Sequence, residues 1–257
     1  MVVRRLRLRL GDGAVQVAFV LAAVSFYELA RAAIEPDWAR ATAGAGRIVR
    51  LEDTLGIAWE APLQRACLAL PNAVRFLNAF YLGHFLFTGL FFVWLYRRSR
   101  PGFALFRDGF AAAFVLSALV YWWYPVAPPR LAGIGVVDTL RQLSGIDIGS
   151  PASVAFSNPV AAMPSLHAGF AVGVGIGLYH YGGRIAKALA LFYPALVVLT
   201  ILATGNHFLL DALAGAIVVA LGLGIAAFFL RFRAFQLAEN PPLSAILSDA
   251  TRGGAVR

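Results

Sequence analysis

Long apolar runs separated by short polar connections make up most of this chain. Six of these runs come close to the roughly 20 residues that a helix needs to cross a hydrocarbon core about 30 Å thick. We therefore expect an all-α, polytopic membrane protein built as a bundle of six transmembrane helices. The pattern places the spans at residues 14–33, 74–96, 103–124, 164–181, 185–204 and 207–231.

A segment of a different kind lies between the first two spans. Residues 42–71 mix charged side chains with Leu, Ile and Trp at roughly helical spacing. Such a pattern is typical of an amphipathic helix that lies along the membrane surface. The predicted organisation is a basic N-terminus over residues 1–13, one membrane domain over 14–231 and a mostly irregular tail over 232–257.

The first span has two interpretations. Basic residues, an apolar run and the sequence Ala30-Arg31-Ala32 together resemble a signal peptide with its cleavage site. The length of the run, and Glu28 near its end, favour a retained span instead. Cleavage would leave the topology of the later spans unchanged.

Composition supports a membrane protein and limits the function classes. Hydrophobic residues make up 60% of the chain and charged residues 14%, against about 25% charged in soluble domains. Cys67 is the single cysteine, which excludes an intrachain disulfide and a cysteine metal site. Basic segments with interleaved aromatics are missing outside the apolar runs, so nucleic acid is not an expected partner.

The distribution of positive charge predicts the orientation. Of the 22 arginines and lysines, 14 fall on the side of the two termini and eight on the other side. By the positive-inside rule, both termini of a multi-pass cell-membrane protein with this bias are cytoplasmic.

Three polar motifs then meet at the extracytoplasmic ends of the spans. YPVAPPR ends the third span and supplies Arg130, and PSLH opens the fourth with Ser165 and His167. TGNHFLLD joins the fifth span to the sixth and supplies His207 and Asp211. Three separate segments at one depth predict a shared polar site.

These residue types fit phosphoryl transfer. His207 and Asp211 are four residues apart and share one helix face, so the carboxylate can accept one ring N–H and leave the other nitrogen as a nucleophile. His167 can protonate the leaving oxygen. Arg130 can bind phosphate oxygens, and the Ser165 hydroxyl with the first backbone N–H groups of its helix can form an anion seat. Nothing has metal-ligand spacing, so neither a metal nor another cofactor is expected.

Other polar residues have a less defined role. Asn78, Tyr81 and His84 are spaced three residues apart in the second span and form a stripe that faces the bundle. Both a structural role and a role in binding the headgroup or acceptor fit this stripe. His180, at the cytoplasmic end of its span, fits a solvated histidine.

Small residues recur every four positions on two spans. Close helix packing explains such stripes. The two sets are Gly169, Gly173 and Gly177, and Ala212, Ala216, Ala220 and Gly224.

PSLH followed about forty residues later by His-x-x-x-Asp resembles the type 2 phosphatidic acid phosphatase superfamily. The APPR motif is more similar to its inositol phosphorylceramide synthase and inositol phosphotransferase branch. The resemblance covers the second span to the sixth. It implies a phosphohistidine enzyme in which His207 is the nucleophile, Asp211 its partner, His167 the acid and Arg130 a phosphate ligand.

Two departures from the superfamily pattern affect the charge of the site. A lysine seven residues before the motif arginine is replaced by Trp123, and an arginine six residues before the nucleophile is replaced by Ile201, after Thr200 in place of serine. A site with fewer positive charges suits a phosphodiester better than a dianionic monoester. Arg141, or an arginine within residues 31–75, would restore the charge and weaken this inference.

The leading hypothesis is a membrane lipid phosphotransferase that moves a phospho-headgroup of the inositol-phosphate type between lipids. A lipid phosphate phosphatase, of phosphatidic acid or polyprenyl type, uses the same site with water as acceptor. A non-catalytic transporter or binding protein is the alternative from another class. The donor lipid, the acceptor and the oligomeric state stay open.

Overall fold

The computed structural model describes residues 2–147 and 158–239, and the regular structure in these two ranges is helical. A short 3₁₀ turn at Pro129–Leu131 follows the fifth helix. The helices are α1 (Val2–Ala32), α2 (Trp38–Leu55), α3 (Glu60–Leu68), α4 (Pro71–Arg98), α5 (Arg100–Trp123), α6 (Thr139–Ser144), α7 (Leu166–Tyr181), α8 (Arg184–Ala203) and α9 (Leu209–Glu239).

Five helices in the described ranges are long and apolar enough to cross a membrane, namely α1 from Asp12, α4, α5, α8 and α9 to Phe235. The predicted fourth span is the shorter helix α7, whose 16 residues rise about 24 Å. The count of six spans is therefore not confirmed. More than half of the α7 side chains are buried, because α8 and α9 pack against it. It is the central helix of the bundle.

The segment between the first two spans forms two helices instead of one. Gly56, with φ of +70°, ends α2 in the left-handed conformation that glycine adopts without strain. Ala41, Ala45 and Ile48 of α2 are buried against the loop after α5 and the segment before α7. Neighbouring α2 side chains, such as Leu51, are exposed. The two helices therefore cover one end of the bundle, and their location at the membrane surface stays a prediction.

The start of α1 and the end of α9 lie at the opposite end of the bundle from α2 and α3. Helix α1 runs toward α2, and α9 begins beside α2 and runs away from it. Asp12 near the start of α1 accepts hydrogen bonds from Arg100 and Tyr96, where α4 gives way to α5. Helix α9 continues through residues 232–239 of the predicted tail, and residues 240–257 lie outside the described residues.

Glycines allow the helix backbones to touch. A Cβ on Gly169 of α7 would lie 2.5 Å from the carbonyl oxygen of Gly215 in α9. Gly173 and Gly177 likewise contact phenylalanine rings of α5 and α4, as the four-residue spacing predicted. The stripe predicted on α9 is wrong, because Ala220 and Gly224 are exposed. Buried Gly215 and Gly222, seven residues apart, make the backbone contacts of α9 instead.

Gly215 gives a test of this packing. A Cβ there would lie 1.9 Å from the carbonyl oxygen of Ser165, so Gly215→Ala must push α7 and α9 apart. We expect a loss of stability of about 1–3 kcal/mol or more, measured as a lower melting temperature in detergent. Gly224→Ala is the control, because no heavy atom lies within 4 Å of its added Cβ. Equal melting temperatures for the two variants would contradict the packing.

Candidate active site

The turn between α8 and α9 carries the predicted nucleophile. The backbone N–H groups of Asn206 and His207 both donate to the carbonyl oxygen of Ile201, at 3.0 and 3.2 Å. Gly205 has φ of +72°, and a Cβ on it would lie 2.6 Å from Cγ1 of Val136. Glycine is therefore required here for both conformation and space. The tight turn fixes His207 just before the first turn of α9.

The two neighbours of the His207 ring determine its tautomer. Nδ1 of His207 lies 2.9 Å from the carbonyl oxygen of Ala162 and 3.4 Å from Oδ2 of Asp211. A carbonyl oxygen and a carboxylate both accept hydrogen bonds, so Nδ1 must carry the hydrogen. Nε2 then has the lone pair, which is the form that a nucleophilic histidine needs.

Asp211 is fully buried behind this ring. Its Oδ2 accepts the backbone N–H of Phe208 at 2.9 Å, and its Oδ1 has no hydrogen-bond partner among the described residues. A buried carboxylate at this position stabilises positive charge on the imidazole, which develops when Nε2 forms a bond. The pairing of His207 with Asp211 is the geometry that their four-residue spacing predicted.

Arg130 is tied to the same turn. Its backbone N–H donates to the carbonyl oxygen of Gly205 at 3.1 Å, and its Nη1 donates to Oδ1 of Asn206 at 2.7 Å. Its Nε lies 3.3 Å from Oδ2 of Asp138. The APPR loop and the TGN turn thus meet directly. Asn206 and Asp138, which support this guanidinium, were not among the predicted site residues, although Asn206 directly precedes His207.

His167 lies in the first turn of α7, with its ring centre 5.8 Å from that of His207. Its ring stacks on Tyr81 at 4.2 Å, and His84 lies 5.1 Å away on another side. His84 is buried and its Nδ1 lies 2.9 Å from the hydroxyl of Tyr193. These contacts from α4 hold the His167 ring opposite His207.

A polar cavity of about 130 Å³ lies between the two histidines. Among the residues that line it are Arg31, Tyr81, Arg130, His167, Asn206 and His207. In the described part of the chain, no three side chains of His, Cys, Asp or Glu come together as metal ligands do. The cations in the cavity wall are the guanidinium groups of Arg31 and Arg130.

Four predicted site residues do not line the cavity, and one of them is Asp211, which lies behind His207. The Ser165 hydroxyl is fully buried and accepts the N–H of Ala168 at 3.4 Å, so it caps α7, which begins at Leu166 and not at Pro164. Asn78 binds Thr139 and Ser144 and holds α6. His84 lies behind the cavity wall and contacts the rings of two residues that line it, His167 and Phe85. In this structure Ser165 is thus a helix cap behind the cavity wall, and not a group presented to phosphate.

Two buried glutamates, which were not among the predicted site residues, support the turn before α9. Oε1 of Glu60, the first residue of α3, accepts the N–H of Leu209 at 2.8 Å. Oε1 of Glu52 in α2 accepts the N–H of Leu210, also at 2.8 Å. With Asp211 on Phe208, three carboxyl groups therefore bind three successive N–H groups at the start of α9. Helices α2 and α3 are attached to the turn through these bonds.

The two glutamates do not behave as ordinary surface acids. Burial is the main cause that raises the pKa of Glu52 to about 8, and the neighbouring Glu60 and Asp211 raise it further. Burial likewise raises the pKa of Glu60. The two carboxyl groups contact one another, so one proton between them relieves the repulsion.

Comparison with known families places this site within a described group. A family model described as the PAP2 superfamily matches residues 46–225, about 70% of the chain. The match begins within α2 and includes Arg130, His167, His207 and Asp211, but not α1. No curated protein and no solved structure matches the chain.

The raised pKa of Glu52 predicts how the stability of the folded protein depends on pH. Between its ordinary pKa of 4.5 and about 8, the folded protein holds this proton and the unfolded chain does not. Stability is then complete below that range and decreases as the pH rises through it. We expect the melting temperature to fall between about pH 5 and pH 8.

Glu52→Gln tests this assignment, because glutamine keeps an oxygen for the Leu210 N–H but does not ionise in this range. The variant should show a flatter dependence of melting temperature on pH than the parent. Asp53→Asn is the matched control, an exposed carboxylate at the next position of α2 that should keep the parent slope. An unchanged slope in Glu52→Gln would assign the pH dependence to other groups.

Proposed function

The chain belongs to the PAP2 superfamily, and from this premise we propose that it is a membrane enzyme that transfers phosphoryl groups of lipid phosphoesters through His207. One observation carries the proposal: His207 has its Nδ1 hydrogen directed to acceptors and lines one cavity with His167 and Arg130. A nucleophile, an acid and a phosphate-binding cation from three separate segments are the groups that the reaction needs.

In the proposed first step, Nε2 of His207 attacks the phosphorus of the lipid phosphoester. The N–P bond forms while the bond from phosphorus to the leaving alcohol oxygen breaks, and His167 gives that oxygen a proton. The imidazole becomes positively charged, and the buried carboxylate of Asp211 stabilises it. Arg130, held by Asn206 and Asp138, binds the phosphate oxygens through its fork of N–H donors.

In the second step, an acceptor hydroxyl attacks the phosphorus and the N–P bond breaks. His167, which lost its proton in the first step, now takes the proton of the acceptor. His167 thereby returns to its initial protonation state, and His207 is again neutral with its hydrogen on Nδ1. The protein supplies positioning and charge, His207 carries the phosphoryl group, and His167 carries every proton that moves.

We propose an alcohol as the acceptor, so that a phospho-headgroup of the inositol-phosphate type moves from one lipid to another. The positions of Trp123 and Ile201 support this choice. Trp123 is 72% exposed on the outside of the bundle, and Ile201 is fully buried in an apolar cluster. The site thus lacks two cations of the superfamily pattern, and a phosphodiester with about one negative charge needs fewer of them.

A lipid phosphate phosphatase is the second candidate, because Arg31 lines the cavity together with Arg130. Two guanidinium groups suit a dianionic monoester, with water as the acceptor in the second step. For both candidates we propose cytoplasmic termini and a site at the extracytoplasmic side of the cell membrane. Helix α7 would then be the sixth crossing, short because other helices surround it.

Trapping the intermediate tests the proposal as a whole. Protein quenched during turnover of a phosphorus-labelled lipid should retain a label that acid removes and base does not. His207→Ala should abolish the label, whereas His180→Ala, an exposed histidine in the last turn of α7, should keep it. If the parent takes no label from several lipid donors, a transporter or binding protein becomes the better interpretation.

The acceptor distinguishes the two candidate reactions. A transferase should form the exchanged lipid only when an alcohol acceptor is present and should release little inorganic phosphate without one. Measuring both products with purified protein, with and without added acceptor, separates the alternatives. Rapid release of phosphate without acceptor, and no headgroup exchange, would establish the phosphatase and exclude the transferase.

A further inference from the structure

We infer that α1 completes the substrate site: Arg31 is a second phosphate-binding guanidinium, and the apolar crevice beside it holds a hydrocarbon chain of the lipid. The inference rests on the proposed function and names its substrate as a lipid phosphoester with a chain bound inside the bundle. It concerns a helix that the family match does not include.

The position of Arg31 carries the first part. It lies in the last turn of α1 and lines the cavity with Arg130, His167 and His207. Its side chain is 22% exposed and contacts Glu28 at 2.6 Å. Asn158, just before α7, donates to the backbone oxygen of Ile34 at 2.9 Å and holds the end of α1 against the site.

The contact with Glu28 does not prevent phosphate binding. A guanidinium has five N–H donors, so it can contact a carboxylate and a phosphate together. Arg130 presents the same arrangement, with Asp138 as its carboxylate. Each cation in the cavity wall is thus held by an acid that keeps it in place when substrate is absent.

Other arginines that would restore the missing charge lie elsewhere. Arg141 has a 71% exposed side chain that pairs with Asp147. Arg40 donates to the backbone oxygen of Trp123, and Arg47 donates to the hydroxyl of Tyr124, both on the exposed surface. Within the described ranges, Arg31 and Arg130 are the arginines that line the cavity.

An apolar crevice of about 310 Å³ lies beside the polar cavity. The two share Tyr27, Glu28 and Phe85 in their walls. From Glu28 the crevice follows α1 to Phe19, a distance of about 14 Å at 1.5 Å per residue. Its walls come from α1, α4, α5 and α7 and are mostly apolar, with Glu28 beside the polar cavity and Arg107 against the ring of Phe19, which suits a hydrocarbon chain.

The wall residues that this crevice shares with the polar cavity favour it over a larger groove as the site of the hydrocarbon chain. A groove of about 990 Å³ lies between α4 and α8, but it shares no wall residue with the polar cavity. A lipid whose phosphate lies between His167 and His207 can place a chain in the first crevice without leaving the protein.

Phosphate binding tests Arg31 separately from catalysis. In a His207→Ala background, which cannot turn over, the dissociation constant for inorganic phosphate is measured by calorimetry in nanodiscs. Arg31→Gln should weaken binding by about ten- to a hundredfold, the loss of a charge-assisted contact, and Arg31→Lys by less. Arg47→Gln is the control, because Arg47 also contacts a tyrosine ring but does not line the cavity.

The outcomes separate this inference from the proposed function. Equal phosphate affinity in Arg31→Gln and Arg47→Gln, or no phosphate binding at all, overturns the role of Arg31. Binding that depends on Arg31, together with no phosphohistidine in the parent, supports the site while the proposed reaction fails. The melting temperature of each variant shows whether it is folded.

Filling the crevice tests the chain. Gly89 lines it, and a Cβ there meets no heavy atom within 4 Å, so Gly89→Leu adds a side chain at the crevice wall. We expect weaker binding of a long-chain lipid phosphate, about tenfold, with unchanged affinity for inorganic phosphate. Gly83→Leu, on the same helix outside the crevice, should change neither. Unchanged affinity of Gly89→Leu for the long-chain lipid would overturn the chain site.

Discussion

The structure depends on how the start of α9 satisfies its backbone. The first N–H groups of a helix have no partner within it, and inside a membrane protein little water is available to replace one. Here Phe208, Leu209 and Leu210 donate to Asp211, Glu60 and Glu52, which come from three different helices. Because His207 immediately precedes these residues, the same bonds that begin the helix also locate the nucleophile. The oxygen atoms that accept these hydrogen bonds lie at the positive end of the helix dipole, where partial negative charge is favourable.

This constraint explains why α2 and α3 fold back over the bundle. These two helices bury few apolar side chains, and each contributes one buried glutamate to the turn before α9. Gln64 of α3 adds a second clamp, because it donates to the backbone oxygens of Val137 and Ala203 and accepts the N–H of Val137. The end of α8, the start of α9 and the loop that carries Asp138 are thereby held by one short helix. A site made from short connections between spans gains its rigidity from elements outside the spans.

The sequence predicted most of the helices and the contact of His207 with Asp211 because both depend on local signals. Apolar runs define spans whatever the tertiary structure, and His207 and Asp211 meet because they are four residues apart across the start of α9. Glu52 and Glu60 could not be assigned in the same way, since their partners are 158 and 149 residues away. Ser165 is a different case. A serine directly before an apolar run is a helix-cap signal, and the anion-seat prediction passed over it.

The number of positive charges in the proposed site depends on whether α1 is retained or removed. The motifs alone lack two cations of the superfamily pattern, and this absence favours a monoanionic phosphodiester as the substrate. Arg31 returns one of these cations, and it does so from a helix whose C-terminal end also resembles a cleavage site. Removal after Ala32 would take away Arg31, one wall of the polar cavity and one wall of the apolar crevice. Tyr27, which is buried and lies 4.6 Å from Phe114, would leave a void in the core. The sites proposed for the phosphate and for the hydrocarbon chain therefore both require α1, because without this helix neither site would have all of its walls.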